Sequence, residues 1–315
     1  MDRIFYHENC QDGWCAAYVA HKRYPEAALT PLSYGLSLKE RDRIMAKCSQ
    51  MDVLMVDYSF AHKEINEELA NVAKSLLILD HHASKKENLE GAPYAVFDNS
   101  RSGAGLAWDY LFGKDSGKNS TFLWLPRPWW VDYTEDQDLW NWKLPNSRFV
   151  NAYLMVQPRT IESWDRLEDE TAAVATLAGM HIADRTNFEV EQVVRTRTSS
   201  KWLFKGREYN VAVVNSSSVV SEGGEFLVNR LGYDFAVFWF ESGADDLMHF
   251  GFRSKKGGNV DVGSIAKFFG GGGHFSSSGA EMPLKEGRQF LYQFLGRESR
   301  LSIQEAGNGT SNRCC

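Results

Sequence analysis

His7, Cys10 and Asp12 lie close together near the N-terminus, and Asp57 follows an apolar run. Asp80-His81-His82 follows a second apolar run, and Glu135-Asp136-Gln137-Asp138 forms an acidic cluster further on. A mixed set of carboxylates and imidazoles suits a moderately hard divalent ion such as Mn²⁺ or Mg²⁺ better than a thiolate-rich set suits it. Carboxylates gathered without a cation repel one another, and a bound ion resolves that repulsion. Two such ions about 4 Å apart can clamp the attacking water and the leaving oxygen of a phosphoryl displacement. Taken singly, these residues have plainer readings. An Asp after a strand often caps the next helix, which serves for Asp57 or Asp136 alone. A lone histidine such as His7 is often only a partly buried one. The pair His81-His82 is harder to explain in that way. Neighbouring imidazoles after a buried strand point in different directions, so one can ligate metal while the other faces substrate.

A second signal is Gly270-Gly271-Gly272-Gly273-His274, with Ser276-Ser277-Ser278-Gly279 behind it. Glycines let backbone N–H groups approach a phosphate closely, and successive N–H groups form anion-binding nests. A flexible linker is the plainer alternative, but such linkers do not usually hold a histidine beside an apolar helical flank. Arg253, at the end of a predicted strand, offers its planar fork to the same phosphate; the competing account is a surface arginine. Trp129, Trp130 and Trp140 offer area for stacking bases, although burial in the core is the commoner fate of such rings.

The elements that must position these residues alternate in type over the first 110 residues. Arg3–Tyr6, the near-continuous apolar run from Met51 to Val56, Leu76–Leu79 and Ala95–Phe97 read as strands. Trp14, Ala17, Tyr18 and His21, then Ile65, Leu69 and Val72, then Ser102 through Leu111 read as helices between and after them. The pattern predicts an α/β fold with a parallel sheet carrying helices on both faces. His7, Asp57 and Asp80-His81-His82 then fall at carboxyl ends of strands, where open parallel sheets bind ligands. Lys114–Ser120 reads as a loop, and helical character returns from about Thr160 to about Ser199, with one break. This helical connector leads into a smaller α+β unit, with strands at Tyr209–Asn215, Asp234–Glu241 and Leu247–Arg253 and helices at Phe226–Leu231, Val262–Phe269 and Gly287–Leu295. The tail from Glu305 has a disordered composition.

The chain's 315 residues are enough for about two domains. Its formal charge of −6 argues against a broad basic face for duplex nucleic acid, while leaving room for short nucleotides in a local pocket. No run approaches the roughly 18 apolar residues of a membrane span, and the N-terminus shows no secretory pattern. Five cysteines in a chain of this length make no disulfide framework, and the expected compartment is the cytosol.

The motifs Tyr6-His7-(x)2-Cys10-x-Asp12-Gly13, Val56-Asp57-Tyr58-Ser59, Asp80-His81-His82, Glu135-Asp136-Gln137-Asp138-Leu139-Trp140 and Gly270–Gly273-His274 together resemble the DHH phosphoesterase superfamily. The similarity is to the branch with a DHHA1 domain, and it runs in family order over residues 6 to 279. It implies a DHH catalytic domain over 1–185, a helical connector over 186–207, a DHHA1 substrate-binding domain over 208–304 and a tail over 305–315. It further implies a Mn²⁺-dependent phosphoesterase, with Mg²⁺ or Co²⁺ as alternative ions, working in a cleft between two domains. By motif, His7 and Asp57 would hold one metal, and Asp12, Asp57, His81 and Asp136 the second. His82 would face the scissile phosphate, to stabilise charge or protonate the leaving oxygen. Arg253, Gly271, Gly272, Gly273 and His274 would bind a phosphate or nucleotide. Cys10 departs from the family, which often carries an aspartate there. A neutral thiol is a poor Mn²⁺ ligand and a thiolate favours a softer ion, while a small buried residue is the alternative.

The expected activity is hydrolysis of phosphodiester bonds in small nucleotides, short oligonucleotides or cyclic dinucleotides, by a metal-activated water. Phosphoanhydride hydrolysis, as in a pyrophosphatase or exopolyphosphatase, is the alternative within the superfamily. A catalytically silent nucleotide-binding protein is the alternative outside it. A processive exonuclease is disfavoured by the acidic balance. The expected partner is a small nucleotide or short single strand, with no membrane and no stable duplex DNA; a homodimer is left open.

Overall fold

The computed structural model describes residues 1–34, 36–113 and 125–295. The chain divides into two compact units, Met1–Arg185 and Thr186–Cys315. The first unit opens with β1 (Arg3–His7), α1 (Gln11–Arg23), β2 (Ala28–Leu32), α2 (Leu38–Cys48) and β3 (Asp52–Val56). It continues through α3 (Lys63–Val72), β4 (Ser75–Asp80), a short α4 (Lys86–Leu89), β5 (Ala95–Phe97) and α5 (Gly103–Phe112). The five strands are all parallel, in the order β2-β1-β3-β4-β5. Chain order reverses between β1 and β3, and such a switch point opens a crevice at the carboxyl ends of those two strands. His7 closes β1 and Asp57 follows β3, so the topology sets these residues on either side of the crevice.

The sheet is buried on both faces, which is why β3 reads as a continuous apolar run. Leu54 and Val56, with Ile4 and Leu79, pack with Trp14, Tyr18, Ala104 and Leu106 of α1 and α5. Val53 and Met55, with Phe5 and Ile78, pack with Ile44, Met45 and Leu69 of α2 and α3. Each such side chain contributes roughly 1.5–3 kcal/mol by leaving water.

Four further helices follow: α6 (Trp129–Asp138), α7 (Ser147–Met155), α8 (Ile161–Asp165) and α9 (Ala172–Arg195). The Trp-rich stretch supplies core rather than a stacking surface. Trp130 is 1% exposed, edge-on to Tyr18 and Trp164. Trp129 is half-buried, and its Nε1 donates to the Glu170 carbonyl at 3.0 Å.

β2 and α2 escape the sequence reading, as do α6 and α7, which precede the return of helical character expected at about Thr160. β2 is an edge strand, largely exposed and carrying Pro31, and proline ordinarily argues against a strand. It is tolerated here because β2 pairs on one side only, with β1. α2 opens on a capping box between Ser37 and Glu40, and the Ser37-x-x-Glu40 spacing was its available signal.

In the second unit, β6 (Thr198–Phe204), β7 (Arg207–Asn215), α10 (Val220–Glu225), a π-helical turn (Phe226–Arg230), β8 (Phe235–Ser242) and β9 (Leu247–Ser254) come first. α11 (Val262–Phe268), β10 (Gly272–Gly273), β11 (Ser277–Pro283) and α12 (Leu284–Leu295) complete it. The mixed six-stranded sheet has the order β10-β11-β9-β8-β7-β6, with only β7 and β8 parallel. Val190 and Val194 of α9 pack on one face with Ala212, Val214 and Phe238. Ile265, Phe290 and Phe294 of α11 and α12 pack on the other with Val211, Phe235 and Phe252.

The expected connector over 186–207 needs correction: it is helical only to Arg195, and β6 follows it into the sheet. Thr198-Ser199-Ser200-Lys201 is polar because β6 is an edge strand that buries chiefly Trp202. The Ser277–Gly279 run is likewise strand, part of β11, where small side chains fit beside β10. The Lys114–Ser120 loop and the tail from Glu305 lie outside the described residues. Among the described residues no helix is long and apolar enough to cross a membrane.

Candidate metal centre

Three strand ends and two helix ends converge beside the β1–β3 crevice. Asp57, 1% exposed, stands at the middle with a left-handed backbone (φ 54°). Its Oδ2 lies 3.5 Å from His7 Nδ1, and its Oδ1 lies 3.1 Å from His81 Nε2. The same His81 Nε2 is 3.6 Å from Asp12 Oδ2 and 3.7 Å from Asp138 Oδ2. One ligand atom each from His7, Cys10 and Asp57 falls within 4.8 Å of the others, as does one each from Asp12, His81 and Asp138. Asp57 therefore adjoins both groups.

Glycines make this convergence possible. A Cβ on Gly103, at the start of α5, would lie 2.5 Å from Asp57 Cβ and 2.7 Å from its Oδ1. A Cβ on Gly13 would collide with the His7 carbonyl oxygen and sit 3.1 Å from Asp57 Oδ2. Asp12 is fixed at the N-terminus of α5, where its oxygens accept from the Gly103 and Ala104 N–H groups at 2.5 and 3.0 Å. That is a favoured seat for a carboxylate, since unpaired N–H groups and the helix dipole meet there.

Both carboxylate oxygens of Asp57 are buried without a satisfying hydrogen bond, and so is Asp138 Oδ2. Such groups are costly to bury. Burial pushes the Asp12 and Asp138 carboxyls up; neighbouring carboxylates add to this, and His81 opposes it. Burial works against ionisation of Asp57 too, but the facing imidazoles of His7 and His81, with His82 beyond them, hold it well below the usual range. Burial would lower His81, yet Asp138, Asp57 and Asp12 hold it well above the usual histidine range. Carboxylate and imidazole donors around unsatisfied buried oxygens fit a divalent ion.

The two other motif residues, Asp80 and His82, are paired with each other. Asp80 is fully buried and saturated: it accepts from the His81 and His82 N–H groups at 2.7 and 3.1 Å, from Ser59 Oγ at 2.5 Å, and pairs with His82 Nδ1 at 2.7 Å. It orients His82, and with Asp57 and His82 it forms a further group of ligand atoms within 4.8 Å of one another. Burial opposes the charge on both, but the pairing lowers Asp80 and raises His82. With Nδ1 committed to Asp80, Nε2 is the nitrogen from which His82 can give a proton away.

Asp136 is the one expected ligand that the structure does not bring to this centre. Its carboxylate accepts from the Lys143 and Leu144 N–H groups at 3.0 and 3.2 Å, closing the turn after α6. Asp138 stands by His81 instead. Two residues along a helix turn the side chain by about 200°, so the two aspartates cannot face the same way. Glu135 takes a third direction, to Arg101 and Arg127 at 3.0 and 3.1 Å. The overlooked signal was periodicity: Asp138 continues the spacing of the buried Val131 and Thr134.

Cys10 does reach His7 and Asp57, and burial, then the charges of Asp57, Asp12 and Asp138, push its thiol well up. A neutral thiol is a weak partner for Mn²⁺. Cys10→Asp is expected to leave Mn²⁺-dependent turnover intact or raise it, by about 2- to 10-fold on the usual influence of one ligand. Turnover with Mn²⁺ for the folded variant tests this; a loss would show that Cys10 does not hold the ligand position.

In the second unit, Arg253 on β9 pairs in register with Ser277 of β11, and β11 pairs with the glycine run through Gly273 and Ser278. Arg253 is tied back by its Nη atoms to the Phe252 and Ser278 carbonyls and Ser221 Oγ, at 2.9, 3.4 and 3.2 Å. Gly271 and Gly273 have no room for a side chain against the β11 backbone, whereas Gly272 faces open space. Two of these three glycines thus serve hairpin packing. The His274 N–H donates to the Ser277 carbonyl at 2.7 Å, closing the turn. Trp140, whose backbone is left-handed (φ 54°), is half-buried and edge-on to Trp142 at 4.9 Å.

No family model matches the chain. An uncharacterized protein of Acanthamoeba polyphaga mimivirus is 25% identical over 296 residues, covering 89% of this chain and 67% of that protein. RecJ from Thermus thermophilus, solved in complex with Mn²⁺, matches with a TM-score of 0.53 and 14% identity over 93% of this chain. The chain spans about half of RecJ (51%). The pGpG-specific phosphodiesterase PggH from Vibrio cholerae matches with a TM-score of 0.48 and 10% identity, covering 98% of this chain and 100% of its own. The likeness to RecJ is one of fold.

Proposed function

We propose that this protein is a divalent-metal-dependent phosphoesterase that hydrolyses phosphodiester bonds of small nucleotides, with Mn²⁺ as its ion. The observation that carries the reading is Asp57, whose two unsatisfied buried oxygens adjoin His7 and Cys10 on one side and Asp12, His81 and Asp138 on the other. The fold shared with RecJ, solved with Mn²⁺, supports it. His7, Cys10 and Asp57 would hold one ion, and Asp12, Asp57, His81 and Asp138 another. Bound there, the metal supplies Lewis acidity toward a phosphoryl oxygen and lowers the pKa of water.

The chain's own residues complete the chemistry. His82, its Nδ1 held by Asp80 at 2.7 Å, would offer a proton from Nε2 to the departing ester oxygen. The Gly13 and Gly103 contacts hold Asp57 against reorientation, so its charge is preorganised rather than gathered during reaction. In the second unit, Arg253, Gly271, Gly272, Gly273 and His274 would bind a phosphate.

The test is product analysis on short RNA, short DNA, cyclic dinucleotides, polyphosphate and pyrophosphate, with Mn²⁺, Mg²⁺ and Co²⁺ compared. Mn²⁺-dependent release of mononucleotides or linearised dinucleotides is expected. Hydrolysis of pyrophosphate or polyphosphate alone would replace the diesterase reading with phosphoanhydride hydrolysis. Failure to hydrolyse any of these, or bis-p-nitrophenyl phosphate, would overturn the enzyme.

A further inference from the structure

The proposed reaction leaves one buried charge unused. Lys85 lies three residues beyond His82, in the turn between β4 and α4, and is 9% exposed. Among the described residues its ammonium forms no ion pair; it sits over the Tyr34 ring, 4.7 Å from the centroid. That ring stacks on Tyr58 at 5.1 Å and meets the rings of His7 at 4.8 Å and His82 at 6.1 Å. Lysine, metal-ligating imidazole and proton-donating imidazole thus share one aromatic wall. The Tyr34 face offsets part of the cost of burying the ammonium, but nothing in the wall neutralises it. Burial pulls the lysine below its usual range, with the charge of Asp80 opposing. A buried ammonium without an ion-pair partner is matched by a strongly anionic group with several acceptor oxygens.

We propose that Lys85 is a phosphate-binding residue of this centre, its ammonium presented across the Tyr34 ring to an oxygen of the substrate phosphate. The proposal rests on the phosphoesterase reading but is tested apart from it, by binding. Inorganic phosphate is titrated calorimetrically into the Mn²⁺-loaded full chain, and Mn²⁺ into the metal-free chain, for wild type, Lys85→Met and Lys85→Arg. Lys85→Met fills the same space without charge. It is expected to weaken phosphate about 10- to 100-fold, the range for a charge-assisted hydrogen bond. Mn²⁺ affinity should stay unchanged or tighten slightly, and Lys85→Arg should retain most phosphate binding. Unchanged phosphate affinity in Lys85→Met, or no phosphate binding by wild type, overturns the role. A parallel loss of Mn²⁺ affinity also overturns it, because the lysine would then shape the metal site. If Lys85→Met loses phosphate while wild type hydrolyses no ester or anhydride, the anion site stands and the enzymatic reading falls.

Discussion

Asp57→Asn is expected to abolish phosphodiester hydrolysis, lowering kcat by on the order of 10³-fold or more, the scale set by removing a principal electrostatic element of a site. Asn is the informative substitution because it changes charge and little else. It has nearly the volume of Asp, and like Asp it accepts the left-handed backbone observed at this position. It also respects the close approach of Gly103 and Gly13, which leaves no space for anything larger. In the metal-free protein the substitution removes the charge that faces His7 and His81 and that these imidazoles hold well below the usual carboxylate range. Metal-free stability at neutral pH should therefore fall, and the Tm gain expected from Mn²⁺ in the wild type should largely vanish. Calorimetric melting with and without Mn²⁺, beside steady-state turnover, checks both halves. A variant that keeps its activity, or its Mn²⁺-dependent Tm shift, would remove Asp57 from the centre of the site.

The first unit was legible in sequence because its sheet is buried on both faces. Val53–Val56 and Leu76–Leu79 are apolar at every position, a signal independent of register, and the residues at their ends then follow from topology alone. β2 lacked that signature, since an exposed edge strand carries no apolar run and Pro31 argues against one. β6 was absorbed into the preceding helix for the same reason, its first four residues being polar. At the site, His7, Asp12, Asp57, His81 and His82 could be placed by motif because each follows a strand or opens a helix at a fixed offset. Lys85 could not be read in this way, because its burial depends on Tyr34, a residue distant in sequence. Gly103 was likewise visible only as part of a helix start, its need for a bare Cα being set by Asp57 across the sheet. The glycine run was read as a phosphate nest, but two of its members answer to packing against β11. Composition gives the same signal for a bare backbone that faces a ligand and for one that faces another strand.

Asp136 and Asp138 should separate cleanly when each is substituted. Asp138→Asn is expected to cut Mn²⁺ affinity and turnover about 10- to 100-fold or more, at least the range seen for groups supporting a metal site. It should leave metal-free stability equal or higher, because it relieves repulsion with Asp12 and Asp57 that now raises the Asp12 carboxyl. Asp136→Ala should do the reverse. It leaves the Lys143 and Leu144 N–H groups without their acceptor, at a cost of about 1–3 kcal/mol for a partly buried turn. For a unit of this size that corresponds to roughly 2–4 °C of Tm per kcal/mol. Turnover of the remaining folded protein, and its Mn²⁺ affinity, should stay within a few-fold of wild type. The sign of the contrast matters more than either magnitude, since a motif reading that assigns the ligand to Asp136 predicts the opposite pairing. Loss of Mn²⁺ binding in Asp136→Ala at an unchanged Tm, with Asp138→Asn inert, would return the ligand to Asp136 and require α6 to be turned by about half a revolution relative to the sheet.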